Sequence, residues 1–167
     1  MGAIKTKLLS KKSRLQIQRN IWLKKPAEIK KILLVSNSDA KSLKRKAEET
    51  FDNAGVHHLF IREVKEDTTI GFYYSVHESD FNLTAILKNE KLQNLLSMDF
   101  DLLIDLSEKS AILSYFVNQS KASLKIGPIN TKQISTYDVL IDLKGSEADK
   151  ISNIYTHLNT LKQDAKI

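Results

Sequence analysis

Apolar and polar positions in this chain change between two spacings, and those changes lay out the fold. Phe100–Ser107, FDLLIDLS, is an apolar run too short for a helix and closed by a turn-like Ser-Glu-Lys-Ser. Such a run suits a strand buried on both faces, as in the middle of a parallel sheet. It returns 37 residues later as Tyr137–Leu143, YDVLIDL, so that Asp101, Leu103, Ile104, Asp105 and Leu106 correspond to Asp138, Leu140, Ile141, Asp142 and Leu143. Each copy leads into a helix opened by a serine.

The other elements follow from the same two periods. Lys31–Asn37 reads as the first strand of the domain, with Asn37 or Ser38 capping a helix that carries Ala40, Leu43, Ala47, Phe51 and Ala54 on one face. Gly55 stands where a left-handed C-cap is expected. Val56–Arg62 is the next strand, Val64–Thr68 a connector, and Thr69–Val76 a third strand with Ile70, Phe72, Tyr74 and Val76 on one face. The connector is too short for a crossover helix, which predicts an antiparallel edge hairpin. His77–Asn82 is a polar loop, Leu87–Met98 a helix, Ser110–Lys121 a short helix, and Ala122–Ile126 a strand stopped by Gly127-Pro128. After the loop Ile129–Ser135 comes the last strand, Asp138–Leu143. Ser146 and Asp149 then form a capping box for a helix with Ile151, Ile154, Tyr155, Leu158 and Leu161 inward. Strands alternating with helices predict an α/β fold: one three-layer Rossmann-like domain over 30–167, with a mainly parallel sheet of about six strands.

Residues 1–29 break this pattern. Ile4, Leu8, Leu15 and Trp22 fall roughly on one helical face, Lys11 and Lys12 interrupt it, and Pro26 ends it. This reads as a basic helical arm, and two readings of it stay open. Either it lies against the domain through Leu15, Ile21 and Trp22, or its first half docks on phosphates.

Charge sharpens that division. Residues 1–31 hold ten Lys or Arg against Glu28 alone, a net +9, whereas the remaining 136 residues carry 16 basic and 19 acidic side chains, a net −3. An anionic partner is therefore sought at the arm, at Lys5, Lys7, Lys11, Lys12, Arg14 and Arg19. A chain of 167 residues with 41% hydrophobic and 28% charged content is ordinary for one soluble domain. It has no cysteine, so disulfides and thiolate metal sites are excluded. No apolar run approaches a membrane span, and no continuous apolar core marks a secretory signal. The expected location is the cytoplasm.

Chemistry is sparse. In an open α/β sheet ligands bind beyond the carboxyl ends of the strands, and here those ends offer a candidate cleft of Ser36, Asn37, Asp105, Ser107 and Gly127, with Asp142 and Lys144 farther along. No Gly-x-Gly-x-x-Gly follows the first strand and no phosphate-loop Gly-Lys-Ser/Thr occurs, so no nucleotide cofactor is expected. Asp105 and Asp142 invite an acid/base reading, but an aspartate ending a buried strand more often satisfies loop amides. His57, His58, His77 and His157 show no metal-ligand spacing, and His77, Glu78 and Asp80 suit turn and capping roles better than a metal. Phe72, Tyr73, Tyr74 and Phe81 sit among Glu63, Glu66, Asp67, Glu78 and Asp80, a setting that repels phosphate and argues for packing over base stacking. No Gly-x-Ser-x-Gly elbow is present. No catalytic residue, cofactor or metal is assigned, and the balance leans away from an enzyme.

Two resemblances attach to these motifs. The ordered run of HESDFN, FDLLIDLSEKS, SKASLKIGP and TYDVLIDL resembles a family of small uncharacterised bacterial proteins typical of Bacteroidetes, over roughly residues 30–165. That family brings no catalytic or binding residue with it. More distantly, FDLLIDLSEKSAILSYFVNQSKASLKIG is similar to part of the N-terminal half of heptosyltransferase-type glycosyltransferases. Ser107-Glu108-Lys109 stands where those enzymes have a glycine soon after the Asp-Leu, and the sequence ends where their donor-binding domain begins. The likeness implies the fold and argues against the activity.

Nothing in the sequence fixes a function. The leading expectation is a non-enzymatic binding domain whose basic arm contacts RNA or a ribonucleoprotein. The alternatives are a small-ligand or degenerate glycosyltransferase-like protein using the cleft, and docking on an anionic membrane through Leu8, Leu9, Leu15 and Trp22. Oligomeric state is open.

Overall fold

Leu102–Asp105 has all four residues buried and runs through the middle of the sheet, as the strand around which the rest is layered. In the computed structural model the described residues are 7–9, 11, 21–37, 41–52, 54–62, 71–108, 110–129, 136–142 and 144–164. Lys5, Lys12, Arg14, Leu15, Arg19, Ser38 and the connector Val64–Thr68 lie outside them. The strands are β1 (Lys31–Ser36), β2 (Gly55–Ile61), β3 (Tyr73–Val76), β4 (Leu102–Asp105), β5 (Leu124–Pro128) and β6 (Val139–Ile141). The helices are α1 (Lys41–Thr50), α2 (Glu90–Ser97), α3 (Ala111–Gln119) and α4 (Glu147–Asp164), with 3-10 turns at Pro26–Glu28 and Glu78–Asp80.

The six strands lie in the order β3-β2-β1-β4-β5-β6, and all five pairings are parallel. This is the strand order of the doubly wound Rossmann sheet, with the order reversing between β1 and β4. Alternate side chains go to opposite faces, which makes two cores. Leu33, Val35, Leu59 and Leu103 pack under Leu92 and Leu95 of α2 and Leu113, Phe116 and Val117 of α3. Ile32, Leu34, Val56, Ile104 and Ile126 pack under Leu43 and Ala47 of α1 and Ile151, Ile154 and Leu158 of α4. Both serine-opened helices are capped as their sequences require, Ser110 accepting from the Leu113 amide and Ser146 from the Asp149 amide, each at 3.3 Å.

Two expectations are corrected. The β2–β3 pair is parallel, so there is no antiparallel edge hairpin among the described residues. The reason lies in the strand limits: β3 begins at Tyr73 rather than Thr69, leaving residues 62–72 between the strands. Eleven residues span about 35 Å when extended, enough to return along a strand without a helix. Gly55 is not a left-handed cap either. It is the first residue of β2, donating its N–H to the Lys30 carbonyl, and positive φ is confined to Gly71, Gly145 and Ala85 among the described residues.

Candidate functional site

The repeated Asp-x-Leu-Ile-Asp motif sets up the two ends of the sheet. At the amino end its first aspartate has the same task in both copies. Asp101 accepts from the Lys30 and Lys31 amides at 2.7 and 3.0 Å, and Asp138 accepts from the Lys125 amide at 2.7 Å. Each carboxylate thereby binds the backbone at the start of the preceding neighbour strand. Asp101 also takes the Lys24 ammonium at 2.5 Å. Burial would raise its pKa, but Lys24 and the two amides outweigh that and hold the carboxyl below its usual range.

At the carboxyl end the second aspartates diverge. Asp142 is exposed and pairs with Lys144 at 2.8 Å. Asp105 is buried, accepts from the Ser107 amide and hydroxyl at 2.8 and 2.5 Å, and accepts the Tyr137 hydroxyl on its other oxygen. Burial pushes the Asp105 carboxyl up despite the Ser107 and Tyr137 bonds, and burial beside that carboxylate pushes the Tyr137 phenol up too. Gly127 makes this arrangement possible, because a Cβ there would stand 2.3 Å from the Tyr137 ring. The ring therefore lies directly on β5, and its hydroxyl reaches across to β4.

The five cleft candidates are thus placed as follows. Asp105, Ser107 and Gly127 are brought together, but around Tyr137, which the sequence reading did not single out. Asn37 at the end of β1 accepts from the Glu108 amide at 2.8 Å, bridging the point where the strand order reverses. Ser36 bonds His58 Nε2 at 2.7 Å. That is the contact of a serine nucleophile with its base, yet the two residues are 2% and 0% exposed, so no substrate reaches them. The bond ties β1 to β2. The groups at this end are used on one another, and the aspartate reading as a partner for loop amides holds for Asp105.

The loop cluster His77, Glu78, Asp80 resolves in the same way. Asp80 is buried, forms an ion pair with Arg62 at 3.0 Å, and accepts from Asn89 Nδ2 at 3.1 Å and from the His77 amide at 2.8 Å. Arg62 also donates to the Ser75 carbonyl at 2.7 Å, so the network fastens β2, β3 and the turn before α2. His77 caps that turn by accepting from the Ser79 amide. No group of three or more His, Cys, Asp or Glu with metal-binding geometry exists among the described residues. His57, facing the other layer from His58, packs against Phe72, Tyr74 and Phe100, and its pKa is lowered to about 4 by burial and then by Lys31 and Lys44. Of the supposed aromatic platform, Tyr74 and Phe81 are buried and Phe72 and Tyr73 lie beneath the Lys44 ammonium.

The arm is partly built into the molecule. Residues 7–9 and 11 are helical; Leu9 is fully buried in the core under α2 and α3, Leu8 packs beside it, and Lys7 and Lys11 are exposed. Ile21 and Trp22, expected to hold the arm down, are instead 61% and 67% exposed. That task falls to Leu23, packed on the second core, to buried Pro26, to Lys24 on Asp101, and to the Trp22 amide donating to the Ser123 carbonyl at 3.3 Å.

No helix among the described residues is long and apolar enough to cross a membrane. Comparison with curated proteins and with solved structures finds no match. A model of the family of unknown function DUF6913 matches residues 4–161, a span that takes in most of the arm as well as the sheet and its helices. The chain belongs to that family.

Proposed function

We propose that this protein is a non-enzymatic binding domain whose cationic N-terminal segment contacts RNA, free or within a ribonucleoprotein. One observation carries the reading: Leu9 is sealed in the core while Lys7 and Lys11, one helical turn apart on the same segment, face water. Cations anchored in this way meet a phosphate backbone from a fixed position and lose less freedom on binding than a loose tail does. The mildly acidic remainder of the chain directs an anionic polymer to that segment. A cleft ligand is less well supported, because Ser36 and Asp105 are buried and Tyr137 covers Gly127. A bilayer contact loses Leu9 to the core.

The test replaces Lys5, Lys7, Lys11, Lys12, Arg14 and Arg19 by Gln in the full chain, keeping Leu8 and Leu9. The unaltered protein should bind RNA with log affinity falling against log salt at a slope of about −4, for six phosphate contacts on a single strand. The neutralised protein should lose that binding. Salt-independent binding, or none, defeats the reading.

A further inference from the structure

We infer that the amino edge of the sheet carries a base-stacking contact: the exposed Trp22 indole, on the edge that also carries Lys25, Lys30, Lys31 and Lys121, takes an unpaired base of single-stranded RNA. This rests on the RNA reading above and adds to it which form of RNA is bound and through which ring.

Trp22 is the single tryptophan of the chain, and it stays 67% exposed while smaller apolar side chains fill both cores. Its exposure comes from a backbone fastened on both sides of the ring. The Trp22 amide bonds the Ser123 carbonyl, Leu23 packs on the second core, Lys24 grips Asp101, and Pro26 is buried. A large aromatic held outward on a fixed backbone gives stacking area at little cost in conformational freedom.

The surrounding charge fits a nucleotide. Asp101 fixes the backbone from which these lysines project, since its carboxylate accepts from the Lys30 and Lys31 amides and pairs with Lys24 Nζ. Its negative charge is drawn onto the backbone, as is that of Asp138 on the Lys125 amide, whereas Glu28 accepts from the Lys25 amide and stays exposed. Lys25, Lys30, Lys31 and Lys121 are exposed on the same edge of the sheet, Lys25 three residues after Trp22 and Lys121 two residues before the Ser123 that holds it. Among the described residues, Glu28 and Asp99 are exposed acids close in sequence to Lys30 and to Asp101 respectively. Exposed aromatics interleaved with cations stack successive bases while tracking the backbone, and a duplex keeps its bases out of reach. The surface lies where β1, β4 and β5 begin, opposite the end where this fold usually binds ligands.

A single tryptophan makes the test direct. Trp22 fluorescence in the full chain is followed while a single-stranded oligouridylate, a duplex RNA of equal length, and phosphatidylserine-containing vesicles are titrated separately. The single strand should quench the emission and bind more tightly than the duplex. Trp22→Ala should weaken single-strand binding about tenfold or more with the salt slope unchanged, and Trp22→Phe should retain most of the affinity. Binding of the single strand without quenching, and unaltered in Trp22→Ala, overturns the inference and leaves the RNA reading standing. A spectral response to vesicles and not to RNA overturns it as well, and failure of every RNA to bind overturns both.

Discussion

Gly127 is held to its identity by the ring that lies on it. A Cβ at this position would stand 2.3 Å from the Tyr137 ring, so Gly127→Ala must displace the phenol and loosen its bond to Asp105. The expected loss is about 1–3 kcal/mol of unfolding free energy, read from urea denaturation. Asp101 and Asp105 give opposite pH responses. Asp101 keeps its carboxyl below the usual range, so its contribution is present at neutral pH and is lost as pH falls through that lowered value. Asp105 is raised: the folded chain holds its proton to higher pH than the unfolded chain, and stability declines as pH rises from the unfolded value through the folded one. Urea midpoints from about pH 3 to about pH 7 should therefore show Asp101→Asn flattening the acid limb. Asp105→Asn, whose amide oxygen still accepts hydrogen bonds, should remove the decline above it. The sequence put both aspartates on strand ends and read Asp105 as a partner for loop amides. It did not reveal Tyr137, because that residue lies 32 positions from Asp105 and reaches it only through the β4–β5 pairing.

Among the elements, the strand and helix runs were legible wherever the period was sustained, and their caps where a serine stood at the right spacing. The β2–β3 connection was not. Its direction depends on where β3 starts, and Phe72 continues the alternation of Tyr74 and Val76 without belonging to the strand. What holds that edge is the buried Arg62–Asp80 pair, joined to Ser75 and Asn89. Arg62→Met leaves a carboxylate buried without its cation and should cost about 3–5 kcal/mol in the same denaturation assay. A loss under 1 kcal/mol, the range of exposed pairs, contradicts the role given to it. Lys125 does related work on the other side of the sheet, donating from its buried ammonium to the Val117 and Asn118 carbonyls at the end of α3, where the helix dipole favours positive charge.

On the scale of the molecule, the arm and the domain share a core. Leu9→Ala should destabilise the whole domain by about 2–5 kcal/mol, as truncation of a buried leucine does elsewhere. Neutralising the exposed lysines of the same segment should leave the urea midpoint almost unmoved. Equal midpoints for the wild type and Leu9→Ala would mean that the segment is not seated in solution. Removing residues 1–25 takes away Leu9 and the Lys24–Asp101 pair together with the cations, so binding lost on such a deletion does not separate charge from folding.

The sequence by itself determined the α/β class, the order of the elements, most of the buried positions and the cationic bias of the first 31 residues, because periodicity and composition are local properties. Only the tertiary structure decided that all six strands run parallel, that Leu9 is sealed inside while Trp22 stays in water, and that the strand-end polar groups bond one another across β1, β2, β4 and β5. Those outcomes depend on which distant segments become neighbours, and a buried polar group is satisfied by whatever the fold brings to it.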